Sequence, residues 1–206
     1  MRYYQAATRC EDTGYMKVTR LDIEGVVLVE LEVKGDARGF FVERFQIERF
    51  REYGLPIAFA QDNHSRSGPG VLRGLHFQHT PPQGKLVGVM RGRIFDVAVD
   101  IRPGSPTYGQ SVGYELSDMN GRLLWIPAGF AHGFCVLGDE PADVLYKADA
   151  LYGPGGEGGI AWNDPEIGVA WPISDPLVSD RDRTMQSFAA YRANPPRWPV
   201  PAAARS

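Results

Sequence analysis

Gly121-Arg122-Leu123-Leu124-Trp125-Ile126-Pro127-Ala128-Gly129-Phe130-Ala131-His132 is the stretch from which the fold is read. Leu123 to Ile126 is an apolar run of strand type, Pro127 and Gly129 break it into a turn, and a second strand-like run follows from Gly133 to Leu137. The turn delivers His132 to the head of that second run. A histidine there either caps the turn or points into an interior.

Outward from this stretch the same pattern repeats. Phe59 to Asn63, Val71 to Gln78, Lys85 to Met90, Arg93 to Arg102, Ser111 to Leu116 and Val144 to Ala148 are strand-like runs divided by Gly, Pro, Asn and Asp. Val26 to Val33 adds a run rich in β-branched residues, turned by Lys34 to Gly39 and returning through Phe40 to Phe45. Ile47, Phe50 and Tyr53 recur at helical spacing before Gly54, which predicts one short helix with a glycine stop. Ser179, three residues before Asp182 and ahead of Met185 and Phe188, is a capping-box start for a short terminal helix. The expected fold class is all-β, a sandwich or barrel with short flanking helices. Residues 1–16 read as an N-terminal extension, 17–193 as one domain and 194–206 as a loose Pro-rich tail.

Composition agrees with one turn-rich domain, since 24 glycines and 16 prolines in 206 residues favour short strands over long helices. With 22 basic against 25 acidic residues the net charge is -3, which gives no bulk attraction to nucleic acid or to anionic lipid. Any anionic partner must be bound locally. Cys10 and Cys135 match neither a disulfide framework nor a metal-ligand spacing, as expected in a reducing cytoplasm. No apolar run approaches the roughly 18 residues of a membrane span, and Met1 to Gln5 lacks the apolar core of a signal peptide. The protein is expected to be cytoplasmic.

The run from Gly121 to His132 resembles the second motif of the cupin superfamily, double-sheet jelly rolls in which a Pro and Gly turn aims the following histidine into the barrel. Metal-binding cupins add a His-x-His pair and a glutamate, because a divalent ion needs several converging donors. Here His76-Phe77-Gln78-His79 separates its histidines by three positions, and strand alternation sends them to opposite faces. Gln83 stands where the glutamate would fall. The expectation is a cupin-like jelly roll with a pocket, no metal and no cofactor.

A metal-free pocket holding His76 needs other chemistry, and a base, a cation and a phenol are at hand in His76, Lys85 and Tyr146. Beside a ketone, a carbon can lose its proton to a base while the charge moves onto oxygen, where a cation stabilises it. Returning a proton from the opposite face inverts that carbon. Tyr146 shares parity with Val144 and Ala148, so it points inward if they do, which a purely structural core tyrosine would also satisfy. His76 as a packing residue in a Leu-rich strand is the plain alternative. For Asp182, the capping box explains the acid, and a carboxylate that orients the base explains it equally.

Gln61-Asp62-Asn63-His64-Ser65, Val71-Leu72-Arg73-Gly74-Leu75-His76-Phe77-Gln78 and Gly84-Lys85-Leu86-Val87 closely resemble the dTDP-4-dehydrorhamnose 3,5-epimerase family. Asp36 to Glu43, Phe95 to Arg102, Ser105 to Gly109, Gly129 to Phe134, Leu145-Tyr146-Lys147 and Trp162 to Pro165 follow its order, so the likeness spans about residues 17–185. The resemblance implies an isomerase that inverts C3 and C5 of dTDP-4-keto-6-deoxy-D-glucose, forming dTDP-4-keto-L-rhamnose. A C3-only epimerase or a ketoisomerase of a nucleotide-linked deoxysugar is the alternative. It further implies His76 as proton acceptor, Tyr146 as proton donor, Asp182 as partner of His76 and Lys85 beside the keto oxygen. Substrate contacts would fall on Arg38, Glu43, Gln61, Asp62, Asn63, Arg73, His132, Glu157 and Arg181. A homodimer is implied, with Arg38 and Glu43 reaching the partner's site.

Two features test that assignment. In a regular strand Arg73 faces away from His76, so both serve one pocket only if Gly74 marks a bulge or kink. At Leu151 the family commonly has an aromatic residue, and leucine loses its stacking face and hydroxyl. A metal cupin such as a dioxygenase and a non-catalytic sugar-nucleotide binding module are the remaining rivals.

Overall fold

Many strands of this chain are apolar on both faces because each face has its own cover. The structure is a computed structural model that describes residues 7–12 and 14–198. Residues 1–6, 13 and 199–206, which include much of the extension and tail read from the sequence, lie outside the described residues.

In chain order the strands are β1 (Ala7–Asp12), β2 (Met16–Leu21), β3 (Val27–Leu31), β4 (Val33–Asp36), β5 (Gly39–Val42), β6 (Gln61–Ser67), β7 (Leu72–Gln78), β8 (Lys85–Arg91), β9 (Arg93–Asp100), β10 (Ser111–Ser117), β11 (Arg122–Ile126), β12 (Phe130–Val136), β13 (Ala142–Ala148) and β14 (Glu157–Gly159). The helices are α1 (Ile47–Glu52), α2 (Asp180–Arg183) and α3 (Phe188–Ala193). A seven-stranded sheet runs β1-β2-β3-β11-β8-β13-β6, and a five-stranded sheet runs β10-β9-β12-β7-β14. β4 and β5 form a separate hairpin. This is the double-sheet, cupin-like jelly roll expected from the sequence.

Between the sheets, Leu28, Val87, Val89, Leu124 and Val144 from one side meet Ile94, Ala98, Leu116, Phe134 and Val136 from the other. The opposite face of the seven-stranded sheet buries Val18, Val29, Leu86 and Trp125 under Phe50 of α1. That of the five-stranded sheet buries Phe77, Val97 and Val99 under Phe188 and Tyr191 of α3. Each large side chain so buried contributes roughly 1.5–3 kcal/mol. Tyr191 also donates from its hydroxyl to the Ile101 carbonyl at 2.8 Å, so its polar end is satisfied.

Each short helix starts at a side-chain cap, of which the sequence reading named Ser179. Gln46 Oε1 accepts from the Arg49 N–H in α1, and Ser179 Oγ accepts from the Asp182 N–H in α2. The terminal helix is two helices, because Ser187 caps again and begins α3 with Phe188. Other differences are local. β12 begins at Phe130, so His132 lies inside the strand and does not cap a turn. The Val26–Val33 run breaks at Glu32, and much of its expected turn belongs to the β4–β5 hairpin. Strand β14 was not foreseen, since Gly158 and Gly159 carry no side-chain pattern.

Candidate active site

Gly74 decides which side chains β7 offers to the interior. In the β7–β12 ladder His76 pairs with His132, but Arg73 pairs with Phe134, so the register slips by one residue between them. Gly74 has φ +125°, and a Cβ there would stand 2.5 Å from the Gly133 Cα. Only glycine fits this close approach. The resulting bulge turns Arg73 to the same cavity as His76, and Arg73 Nε donates to Ser67 Oγ at 2.9 Å.

That cavity, about 500 Å³, opens between the two sheets. The five-stranded sheet supplies His76, His132 and Phe134, and the seven-stranded sheet supplies Ser65, Lys85 and Tyr146. A second cavity of about 240 Å³ is lined by Gln61, Asn63, Gln78, Gln83, Tyr152 and Glu157. His76, Lys85 and Tyr146 line both. Tyr146 packs against the same core as Ala142 and Val144, as its parity requires.

His76 Nε2 lies 2.6 Å from Asp182 Oδ1, and the Gly74 N–H donates to the other carboxylate oxygen at 3.4 Å. Burial pushes the Asp182 carboxyl up, but the His76 hydrogen bond and charge outweigh it and hold the group below its ordinary value. Ser179 Oγ takes the Asp182 backbone N–H, which leaves the Asp182 carboxylate on His76 and Gly74. A second histidine–carboxylate pair lies in the interior, with His132 Nε2 at 2.7 Å from Asp96 Oδ1. Asp96 faces inward and is fully buried. Asp100 is held elsewhere, by Arg102, Ser105 and Thr107.

Burial pushes Lys85 below the usual lysine value, against the opposing charges of Glu157 and Asp96. Its Nζ lies 5.9 Å from the centre of the Tyr146 ring. Burial, and then the charge of Glu157, push the Tyr146 phenol up, so it keeps its proton at neutral pH. Glu157 accepts from the Tyr152 hydroxyl at 2.8 Å and pairs with Arg181 at 2.9 Å. Burial raises Glu157, and those partners bring it below the ordinary carboxylate value. Gln61 donates to Asn63 Oδ1 and accepts from the Tyr152 N–H, both at 2.9 Å.

The fold thus gathers His76, Lys85, Tyr146, Asp182, Gln61, Asn63, Arg73, His132, Glu157 and Arg181 around one cleft. Asp62 is not brought there, because alternation along β6 turns it to the other face, where Lys147 pairs with it at 3.0 Å. Arg38 and Glu43 also lie outside this chain's cleft, the first paired with Asp36 and the second with Arg49. Leu151 is exposed, and its carbonyl accepts from Gln78. His79 sits beside Trp198, which packs on Phe77, away from His76. Among the described residues no group of three or more His, Cys, Asp and Glu is arranged to hold a metal. Ser65 was missed although it shares parity with Gln61 and Asn63. Phe134 and Val178 also line the cavity, and the sequence reading singled out neither.

The family model for dTDP-4-dehydrorhamnose 3,5-epimerase matches residues 20–190. The chain belongs to the dTDP-4-dehydrorhamnose 3,5-epimerase family. As a member of that epimerase family it is an isomerase. The dTDP-4-dehydrorhamnose 3,5-epimerase of Pseudomonas aeruginosa is 55% identical over 176 residues, which cover 84% of this chain and 97% of that one. The crystal structure of the dTDP-6-deoxy-D-glucose-3,5-epimerase from Legionella pneumophila in complex with dTDP-4-keto-L-rhamnose superposes with a TM-score of 0.84 at 45% identity, covering 90% of this chain and 100% of that one. A dTDP-4-dehydrorhamnose 3-epimerase of Streptomyces niveus is 43% identical over 179 residues, 86% of either chain. In this epimerase-family chain no helix among the described residues is long and apolar enough to cross a membrane.

Proposed function

We propose that the protein inverts C3 and then C5 of dTDP-4-keto-6-deoxy-D-glucose, forming dTDP-4-keto-L-rhamnose. The supporting observation is that His76 and Tyr146 rise from facing sheets into one cavity, with Lys85 lining it beside them. His76, held by Asp182, takes the C3 proton. The electron pair forms the C3–C4 enolate, and the charge on the former keto oxygen rests beside the Lys85 ammonium. The Tyr146 phenol then gives a proton to C3 from the other face, and solvent restores both groups. The same keto group activates C5, so one set of residues serves both carbons without a cofactor.

Arg73 and Arg181 suit the diphosphate, whose oxygens accept paired hydrogen bonds from a guanidinium fork. Gln61, Asn63, His132 and Glu157 complete the sugar-nucleotide contacts. The protein acts as a homodimer in which the β4–β5 hairpin, carrying Arg38 and leading to Glu43, reaches the partner's cleft. Phe40 and Phe41 on that hairpin are 58% and 69% exposed in the single chain, which a partner surface would relieve. The free thiols of Cys10 and Cys135 are in keeping with a reducing cytoplasm.

Proton exchange tests the reading. In deuterated water the keto sugar gains label at C3 and C5, and NMR of the product gives its stereochemistry. Absence of label at both carbons would refute proton abstraction. Label at C3 alone would make the enzyme a C3-epimerase, the reading that its likeness to the Streptomyces niveus protein favours.

A further inference from the structure

The larger cavity has two kinds of wall. Arg73, His76, Lys85, Tyr146 and Arg181 bring charge and hydrogen bonds, whereas Val71, Phe134, Leu177 and Val178 bring side chains of carbon alone. Neither the proton transfers nor the anchoring of a diphosphate uses the second wall. Phe134 is buried on the inward face of β12, its ring centre 6.5 Å from that of His132. The backbone of Leu177 is tied on both sides, its N–H to the Gly70 carbonyl at 2.9 Å and its carbonyl to the Leu72 N–H at 3.0 Å. This bridge sets Leu177 beside Val71. The Leu177 side chain itself stays 61% exposed at the lip of the cavity.

A 4-keto-6-deoxyhexose linked to a nucleotide carries oxygen at every ring position except the C5–C6 edge, which ends in a methyl group. We infer that Val71, Phe134, Leu177 and Val178 form the subsite for that methyl group and select 6-deoxy sugars against 6-hydroxylated ones, an assignment that rests on the epimerase reading above. A hydroxyl set against those four side chains would find no donor or acceptor on them to replace the water it gives up. The same wall serves the second inversion. When C5 is reprotonated from the other face, the methyl group swings across the ring plane, and an apolar surface receives it without stripping water from a polar group.

The test compares kcat/KM for dTDP-4-keto-6-deoxyglucose with that for dTDP-4-ketoglucose, read as deuterium uptake at C3. The wild-type protein should prefer the 6-deoxy sugar by about a hundredfold, the scale on which an apolar pocket rejects an added hydroxyl. Val71→Thr, which keeps the shape and adds a hydroxyl, and Leu177→Asn, at an exposed side chain, should each lower that ratio severalfold. Equal wild-type rates on the two sugars, or an unchanged ratio in both variants, would overturn the assignment while leaving the epimerase standing. Wild-type protein that exchanges neither sugar would overturn the epimerase reading and the subsite with it.

Discussion

The His76 imidazole and the Asp182 carboxylate stand 106 residues apart in sequence and 2.6 Å apart in space. The same aspartate begins α2 through its backbone N–H, which donates to Ser179 Oγ at 3.1 Å. A helix cap therefore places the carboxylate that holds the His76 ring.

Because the cap uses the backbone, Asp182→Asn should keep the fold while removing the charge that favours the imidazolium. Turnover should fall by about 10²–10⁴ with little change in melting temperature. Rate and thermal melts on the same preparation check this, and an unaltered rate would remove Asp182 from the mechanism.

Tyr146→Phe should separate the two proton transfers. His76 still removes the C3 proton and can return a deuteron to the same face, so label enters the substrate while product formation slows by about 10²-fold or more. NMR in deuterated water distinguishes label in unreacted sugar from label in the epimer.

Gly74→Ala should damage both stability and activity. Its Cβ would press on the Gly133 backbone at 2.5 Å, at a φ that alanine rarely adopts. Overpacking of this kind costs about 1–3 kcal/mol. Relief by straightening β7 would turn Arg73 and His76 to opposite faces. Urea denaturation should show the lower midpoint, and substrate titration the weaker binding.

Acid should weaken the fold partly through Asp143. Hydrogen bonds from Arg66 above all, and from His64, hold its carboxyl down to about 2 in the folded chain. The unfolded chain binds that proton more tightly, so this stabilisation is complete above the ordinary value of 3.8 and is lost as pH falls through about 2. Denaturation midpoints measured across that window should fall with pH, and Asp143→Asn should flatten the fall.

The dimer proposal predicts complementation. Arg38→Ala and His76→Ala homodimers should both be slow, each lacking one residue at every site. Unfolded and refolded together in equal amounts, they should recover about a quarter of wild-type activity, since half of the dimers carry one intact site. Recovery no greater than the sum of the parents would show that the hairpin serves its own chain or none.

Strand identity was legible because short apolar runs are cut by Gly, Pro, Asn and Asp, as on either side of β11 and β12. The inward aim of Tyr146 followed from its parity with Val144, and the opposite aims of His76 and His79 from their odd spacing. Parity also named the condition on which Arg73 and His76 could share a pocket, a bulge at Gly74, and it corrects Asp62, which the family resemblance placed in the cleft. Arg73 shares a cavity with His76 because Gly74 inserts a bulge, and Asp62 leaves the cleft because it alternates with Gln61 and Asn63. Strand β14 stayed hidden because two of its three residues are glycine.

The order of residues settled the jelly roll, the inward tyrosine and the Ser179 cap, since strand alternation and helix capping are local and need only a few neighbours. Tertiary structure decided that Asp182 meets His76, which the family resemblance implied but local pattern left open, and that Asp96 turns inward to His132. Those relations join strands of the five-stranded sheet and a helix far along the chain, and only the packing of both sheets around one core fixes their distances.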